Sequence, residues 1–308
     1  MVALWFILLV VCIFGAALSS RKAVTAALEI VESTRFSPAL VGLTIMSIGT
    51  DLPEIANSIV SVSSGHGDVN VGDSMGSVLT QITLVLGILC LVSTTVSADR
   101  NFLISIGSAA FFASVVVWVF VRDGTLSHFD GAILVVLWFG GTVLLGQSEL
   151  RPREVVRTEN VNIARNVVVT LLWLGLVGAF AFGVVTAFLE LSEDFGVPEF
   201  VGSFIALSLG TSLPELAVDY TAIRKGATSM AIGGIFGSSF VDATLSVGIG
   251  PALFSSEVSG DVLLGVGLAA VGVAVATFAV ARTRVLDWRL GVLLISVYAF
   301  SQLAVAFG

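Results

Sequence analysis

Glu54 and Glu215 are acids set well inside apolar segments, and the same residues surround both. The first lies in IMSIGTDLPEIANSIVSV (45–62) and the second in IALSLGTSLPELAVDYTAI (205–223). Gly49, Thr50, Pro53 and Glu54 thus recur as Gly210, Thr211, Pro214 and Glu215. On a helix Thr50 and Glu54 are four residues apart, as are Thr211 and Glu215, and Asp51 precedes Glu54 by three, so each set shares a face. Further on, Asp73, Ser77 and Gln81 form one stripe at four-residue spacing, and Ser238 with Asp242 forms its equivalent. Pro53 and Pro214 each remove a backbone donor, and Gly49 and Gly210 weaken the helix just upstream, which frees carbonyls to face a cavity. Carboxylates, hydroxyls, an amide and carbonyls are all hard oxygen ligands. Such a set suits Ca²⁺, which takes about six to eight oxygens, and Na⁺, and holds nothing soft for a transition metal. A purely structural acid would need an Arg or Lys at the same depth, and all 14 cations lie near segment ends. An unpaired carboxylate in lipid costs at least ~2.5 kcal/mol, so a mobile cation is its natural partner.

The elements that carry these residues must cross a membrane. The chain of 308 residues is 56% hydrophobic and only 12% charged, with a mean hydropathy of +1.04, and no polar stretch is long enough for a separate soluble domain. Cutting at polar clusters gives ten spans, about 2–19, 37–63, 70–96, 102–121, 129–147, 163–191, 199–223, 228–251, 260–281 and 286–307. Each can cross roughly 30 Å of hydrocarbon as a helix. Residues 21–35 extend the first helix beyond the lipid, and the one substantial loop is about 148–162. A secreted enzyme is excluded, since a signal peptide accounts for only the first segment. Cys12 and Cys90 lie inside apolar segments and offer neither a disulfide framework nor a zinc site. The net charge is −8, with 12 Arg and only Lys22 and Lys225, a balance that hints at a halophile and leaves no surface for nucleic acid.

Orientation and symmetry follow from the same map. Thirteen of the 14 cations fall on one side of the ten-span arrangement, Arg122 being the exception. That side is cytoplasmic by the positive-inside rule, which puts the central loop inside and both termini outside. The segment MGSVLTQITLVLGI (75–88) matches FGSSFVDATLSVGIG (236–250) at the offset of 161 residues that also relates Glu54 to Glu215. With five spans per half the copies must run in opposite directions. The expected fold is therefore an all-α polytopic membrane protein, ten transmembrane helices as two inverted five-helix repeats. Residues 1–150 hold the first repeat with its motif at about 41–90, 151–162 the cytoplasmic linker, and 163–308 the second repeat with its motif at about 201–250. Inverted repeats of this kind place ion sites at the repeat interface near the midplane.

With its two G-T-x-L-P-E segments and two G-S segments, the sequence resembles the calcium/cation antiporter superfamily, most closely the Na⁺/Ca²⁺ exchanger branch, over essentially the whole chain. The resemblance implies a multi-pass cell-membrane transporter, not an enzyme, that needs no cofactor and exchanges Ca²⁺ for Na⁺ at overlapping sites while helices 1 and 6 slide to alternate access. It implies a site formed by spans 2, 3, 7 and 8, with Glu54 and Glu215 as principal Ca²⁺ ligands and Thr50, Ser77, Thr211, Ser212, Ser238 and Asp242 around the Ca²⁺ or Na⁺ positions. Asp51 departs from the Ser usual in prokaryotic relatives, Gln81 from Asn or Asp, and Asp73 from Asn, while Gly234 replaces the second Asn and Asp219 adds an acid one turn after Glu215. The core would then hold four carboxylates, Asp51, Glu54, Glu215 and Asp242, and one of the four keeps a proton until Ca²⁺ or Na⁺ displaces it.

The extra carboxylate makes a H⁺-coupled exchanger the alternative, so the ionic partners are Ca²⁺, Na⁺ and, in that case, H⁺; a monomer in the bilayer suffices for either. An intramembrane aspartyl protease, which needs two Asp sharing one proton, is a distant third, because a protease has no use for a symmetric ligand set. Asn57 is either a ligand or a helix–helix hydrogen bond, and His66 and His128 are expected in solvated short loops. Single cysteines introduced in the loop 148–162 are expected to label only from the cytoplasmic side, and ones at Gly65 or Gly260 only from outside. Labelling of all three from one side contradicts the inverted repeat.

Overall fold

The structure, a computed structural model, describes residues 2–33, 37–92, 100–149, 162–192, 198–283 and 287–307. Most of the central loop 148–162 thus lies outside the described residues. Ten helical segments account for nearly all of what is described. They are α1 (Val2–Ser33), α2 (Pro38–Thr50 followed by Leu52–Ser63), α3 (Gly67–Val92), α4 (Arg100–Phe120) and α5 (His128–Glu149), then α6 (Ile163–Ser192), α7 (Glu199–Arg224), α8 (Thr228–Leu253), α9 (Val262–Thr283) and α10 (Trp288–Phe307). Eight of these are long and apolar enough to cross a membrane, and the bent pair in α2 makes a ninth if counted as one span. The first helix runs unbroken to Ser33, as expected, and packs along α6.

Burial sorts the helices into layers. Among the candidate spans α3 and α8 are the most enclosed. Their sequences explain this: GDVNVGDSMGS and GGIFGSS carry few bulky groups, so neighbouring backbones come close. The outer helices turn large apolar groups outward, among them Phe112, Phe139, Leu172, Phe278 and Phe300, as a lipid-facing surface requires. In the middle, α8 packs on the first half of α2 and α3 packs on the first half of α7. A Cβ on Gly42 would run into the Met230 carbonyl, and one on Gly233 into the Ala39 carbonyl. Only glycine permits that approach of α2 to α8. In the short connections, β1 (Thr125–Leu126) pairs antiparallel with β2 (Ser256–Glu257), tying the α4–α5 turn to the α8–α9 turn.

Four helices contain a π-helical turn: Gly42–Met46 in α2, Thr80–Val85 in α3, Ser203–Leu207 in α7 and Asp242–Ser246 in α8. The turns at 42–46 and 203–207 are related by the 161-residue offset of the motifs. Such turns widen the helix and recur at functional sites. Here they occur only, among the described residues, in the four helices that carry the candidate ligands.

Substituting Gly42 with Ala is expected to destabilise the protein by about 1–3 kcal/mol through overpacking, seen as a lower unfolding midpoint in detergent. Gly175→Ala, where nothing stands within 4 Å of the added methyl, serves as the neutral control. Equal midpoints for the two variants contradict the close α2–α8 packing.

Candidate cation site

The breaks anticipated at Gly49–Pro53 and Gly210–Pro214 fall at Asp51 and Ser212. The axis of α2 bends by 44° there. Asp51 (φ −81°, ψ 5°) and Ser212 (φ −79°, ψ 1°) each stand at the N-cap of the helix that follows. An N-cap Asp or Ser normally accepts a hydrogen bond from the first turn. Neither side chain does so here, and both Asp51 Oδ atoms and Ser212 Oγ are buried without a partner. Pro53 and Pro214 in the first helical turns have no N–H to offer the carbonyls of Gly49 and Gly210. Glu54 and Glu215 occupy the same first turns, where the partial positive charge of a helix N-terminus favours an acid.

The two breaks meet. One carboxylate oxygen each from Asp51, Glu54 and Glu215 lie within 4.8 Å of one another, and all three residues are buried. Three oxygens at that spacing share a centre no more than about 2.8 Å from each, close to the roughly 2.3–2.6 Å of Ca²⁺–oxygen bonds. All four glutamate oxygens are buried with no hydrogen-bond partner. The only ion pair among the described residues is His66 with Glu199, 3.1 Å apart and exposed, so no side-chain cation neutralises the cluster. Buried polar groups are ordinarily satisfied, and orphaned carboxylates that converge point to a ligand.

Hydroxyls frame the triad in a reciprocal pattern. Thr50 Oγ1 lies 3.4 Å from Ser238 Oγ, and its counterpart Thr211 Oγ1 lies 3.2 Å from Ser77 Oγ. Each half therefore sets its G-T helix against the G-S helix of the other.

The remaining expected ligands stand around the triad with partners of their own in part. Gln81 donates from Nε2 to Asp242 Oδ2 (2.8 Å) and accepts from Ser239 Oγ (3.1 Å), which makes it a brace for Asp242. Asp242 keeps Oδ1 unpartnered but stands outside the close triad, so the tightest cluster holds three carboxylates where the sequence suggested four. Asp73 accepts from Asn57 Nδ2 (2.7 Å) and Thr211 Oγ1 (2.9 Å). Asn57 thus makes a helix–helix hydrogen bond between α2 and α3 through its Nδ2. His66 joins the α2–α3 turn to Glu199 at the start of α7, and His128 Nδ1 lies 3.3 Å from the Ala252 carbonyl. Sequence reasoning missed Ser239, whose position beside Ser238 carried no spacing signal.

Comparison with known proteins places this arrangement. A family model described as sodium/calcium exchanger protein matches the chain twice, over residues 4–146 and 165–307, with starts again 161 residues apart. The inner membrane protein YrbG of Escherichia coli is 31% identical over 263 residues, covering 80% of this chain and 79% of the relative. The sodium/calcium exchanger MaX1 of Methanosarcina acetivorans is 23% identical and covers 84% and 86%. Among solved structures, the sodium-calcium exchanger NCX_Mj, soaked with Na⁺ and Sr²⁺, superposes with a TM-score of 0.81 at 21% identity, over 97% of this chain and 98% of that one. That likeness shows a shared fold. With both halves matched by one model and a fold in common end to end, the chain is a multi-pass membrane transporter and no enzyme, and it belongs to the sodium/calcium exchanger protein family.

Proposed function

We propose that the protein is a secondary active antiporter that exchanges Ca²⁺ for Na⁺ by alternating access at the Asp51–Glu54–Glu215 cluster. The observation that carries the reading is the set of buried carboxylate oxygens on Asp51, Glu54 and Glu215 without donor or cation. Ser212, Asp242, Thr50, Thr211, Ser77 and Ser238 complete the lining, and Gln81 and Asp73 hold Asp242 and Thr211 in place. The number of oxygens and their hardness support Ca²⁺, and the surrounding hydroxyls support Na⁺. The names borne by MaX1 and NCX_Mj support the same pair of ions.

In this reading all ten helices cross the membrane as two inverted five-helix repeats, 1–150 and 163–308, joined by the linker 151–162. The reciprocal Thr50–Ser238 and Thr211–Ser77 contacts support a twofold exchange of the halves. An odd number of helices per half puts the axis in the membrane plane and the site near its middle. The cation map supports a cytoplasmic linker and termini on the outer side. No cofactor enters the cycle, and one chain contains the whole site.

Asp51 favours one alternative, coupling to H⁺. Its counterpart is the neutral Ser212, and a third carboxylate in a cluster this tight gives protons a place to compete with cations. The deciding experiment is ⁴⁵Ca²⁺ uptake into proteoliposomes under an outward Na⁺ gradient, then under an outward H⁺ gradient. Uptake driven by Na⁺ and not by H⁺ is expected, and the reverse installs the alternative. Glu54→Gln or Glu215→Gln is expected to abolish uptake in a folded protein, since neutralisation relieves buried charge; wild-type exchange by either variant places the site elsewhere. Because protons and Ca²⁺ compete for the same oxygens, apparent Ca²⁺ affinity should rise with pH. Asp51→Ser should flatten that dependence while exchange persists, and an unchanged profile separates Asp51 from the cluster.

A further inference from the structure

The offset of 161 residues relates the two family-matched stretches, 4–146 and 165–307, and at one place the halves carry the same chemistry on different helices. In the first half Asp73 of α3 lies four residues before Ser77. Its counterpart in α8 is Gly234, which has no side chain to offer. The vacancy is filled from α7: Asp219 Oδ1 lies 2.6 Å from the point a Cβ on Gly234 would occupy. The counterpart of Asp219 on α2 is Ser58, whose hydroxyl accepts the Gly250 N–H at 3.0 Å. Each half thus sets one carboxylate beside the same point of its G-S helix, supplied by α3 in one and by α7 in the other.

The two carboxylates differ in how they are held. Asp73 takes two hydrogen bonds, from Asn57 and Thr211. Asp219 is 3% exposed and, among the described residues, has neither a hydrogen bond nor an ion pair. Its oxygens are not among the fully enclosed unpartnered ones, so the carboxylate, held by no protein donor, borders an accessible path. One turn along α7 from Glu215, Asp219 shares its face of the helix and lies on the way to Arg224 and Lys225. Asp73 lies on the other side of Ser77, on the way to His66.

We infer that Asp219 and Glu215 form a second cation site, between the central cluster and the Arg224 end of α7, through which a divalent cation passes on the cytoplasmic side. The inference rests on the proposed Ca²⁺ antiport. An ion leaving the triad toward that side keeps one carboxylate, Glu215, while it gains another, Asp219, so it is never left with neither. Asp73, already bonded to Thr211, has the corresponding place on the opposite side.

The test is Ca²⁺ transport in membrane vesicles of both orientations, with the Ca²⁺ KM measured at each face for the wild type, Asp219→Asn, Asp219→Ser and Asp73→Asn. Asn keeps the volume and removes the charge, and Ser is the residue the other half carries at this place. Both Asp219 variants are expected to raise the cytoplasmic-face KM by about fivefold, the weight of one ion–carboxylate contact in a hydrated path, and to leave the outer-face KM at its wild-type value. Asp73→Asn should not reproduce that sidedness. A KM shifted equally at both faces, or at neither, overturns the inference while leaving the antiport intact. Misfolding of both Asp219 variants, seen by gel filtration and circular dichroism, makes the carboxylate structural and overturns it too. A wild-type chain that carries no Ca²⁺ in these vesicles removes the antiport itself, a failure distinct from the others.

Discussion

An ionised carboxylate inside a membrane needs a positive charge beside it, and among the described residues no side-chain cation pairs with a buried acid. Asp51, Glu54 and Glu215 are buried together with unpartnered oxygens, and the only ion pair among the described residues is the exposed one between His66 and Glu199. Like charges so close repel strongly in a medium of low polarity. Three ionised carboxylates so placed would be costly, and a bound cation would offset that cost. Breaking a buried ion pair by removing one partner costs several times what an exposed pair contributes. In the proposed antiport, that imbalance is what draws a cation to the cluster.

The rest of the fold answers to this demand. The helix breaks at Asp51 and Ser212 bring two first turns, with their acids, to one place. Pro53 and Pro214 prevent the chain from closing those breaks with ordinary helical bonds. Glycines at 42 and 233 let α2 and α8 approach backbone to backbone, which holds the two breaks against the G-S helices. Gln81 and Ser239 then fix Asp242 at the edge of the cluster. Large exposed groups such as Phe112, Phe139 and Phe300 stand on the outer helices, where the lipid takes them. The reciprocal threonine–serine contacts show the same solution used twice, once from each half.

Much of this was legible in the sequence because charge in an apolar chain is conspicuous. The repeated G-T-x-L-P-E segments located the acids, and Gly49 and Pro53 foretold a break within a few residues of Asp51. What stayed hidden was which oxygens are already taken. The stripe Asp73, Ser77, Gln81 has the spacing of three ligands, yet Gln81 turns its amide to Asp242 and Asp73 is held by Asn57. Those choices depend on partners in other helices, which spacing along one helix cannot report. The π-helical turns were invisible for a similar reason, since no residue type demands them. Asp219 was noticed only as an extra acid, because its setting depends on a glycine in α8.

The central claim is that one cation sits among Asp51, Glu54 and Glu215. Anomalous diffraction from crystals of the full chain soaked in Sr²⁺, a heavier stand-in for Ca²⁺, tests it directly. A single strong peak is expected between the two helix breaks, within about 2.8 Å of oxygens from all three carboxylates, and absent from crystals of Glu54→Gln. A Sr²⁺ peak elsewhere in the molecule with none at the triad would contradict it.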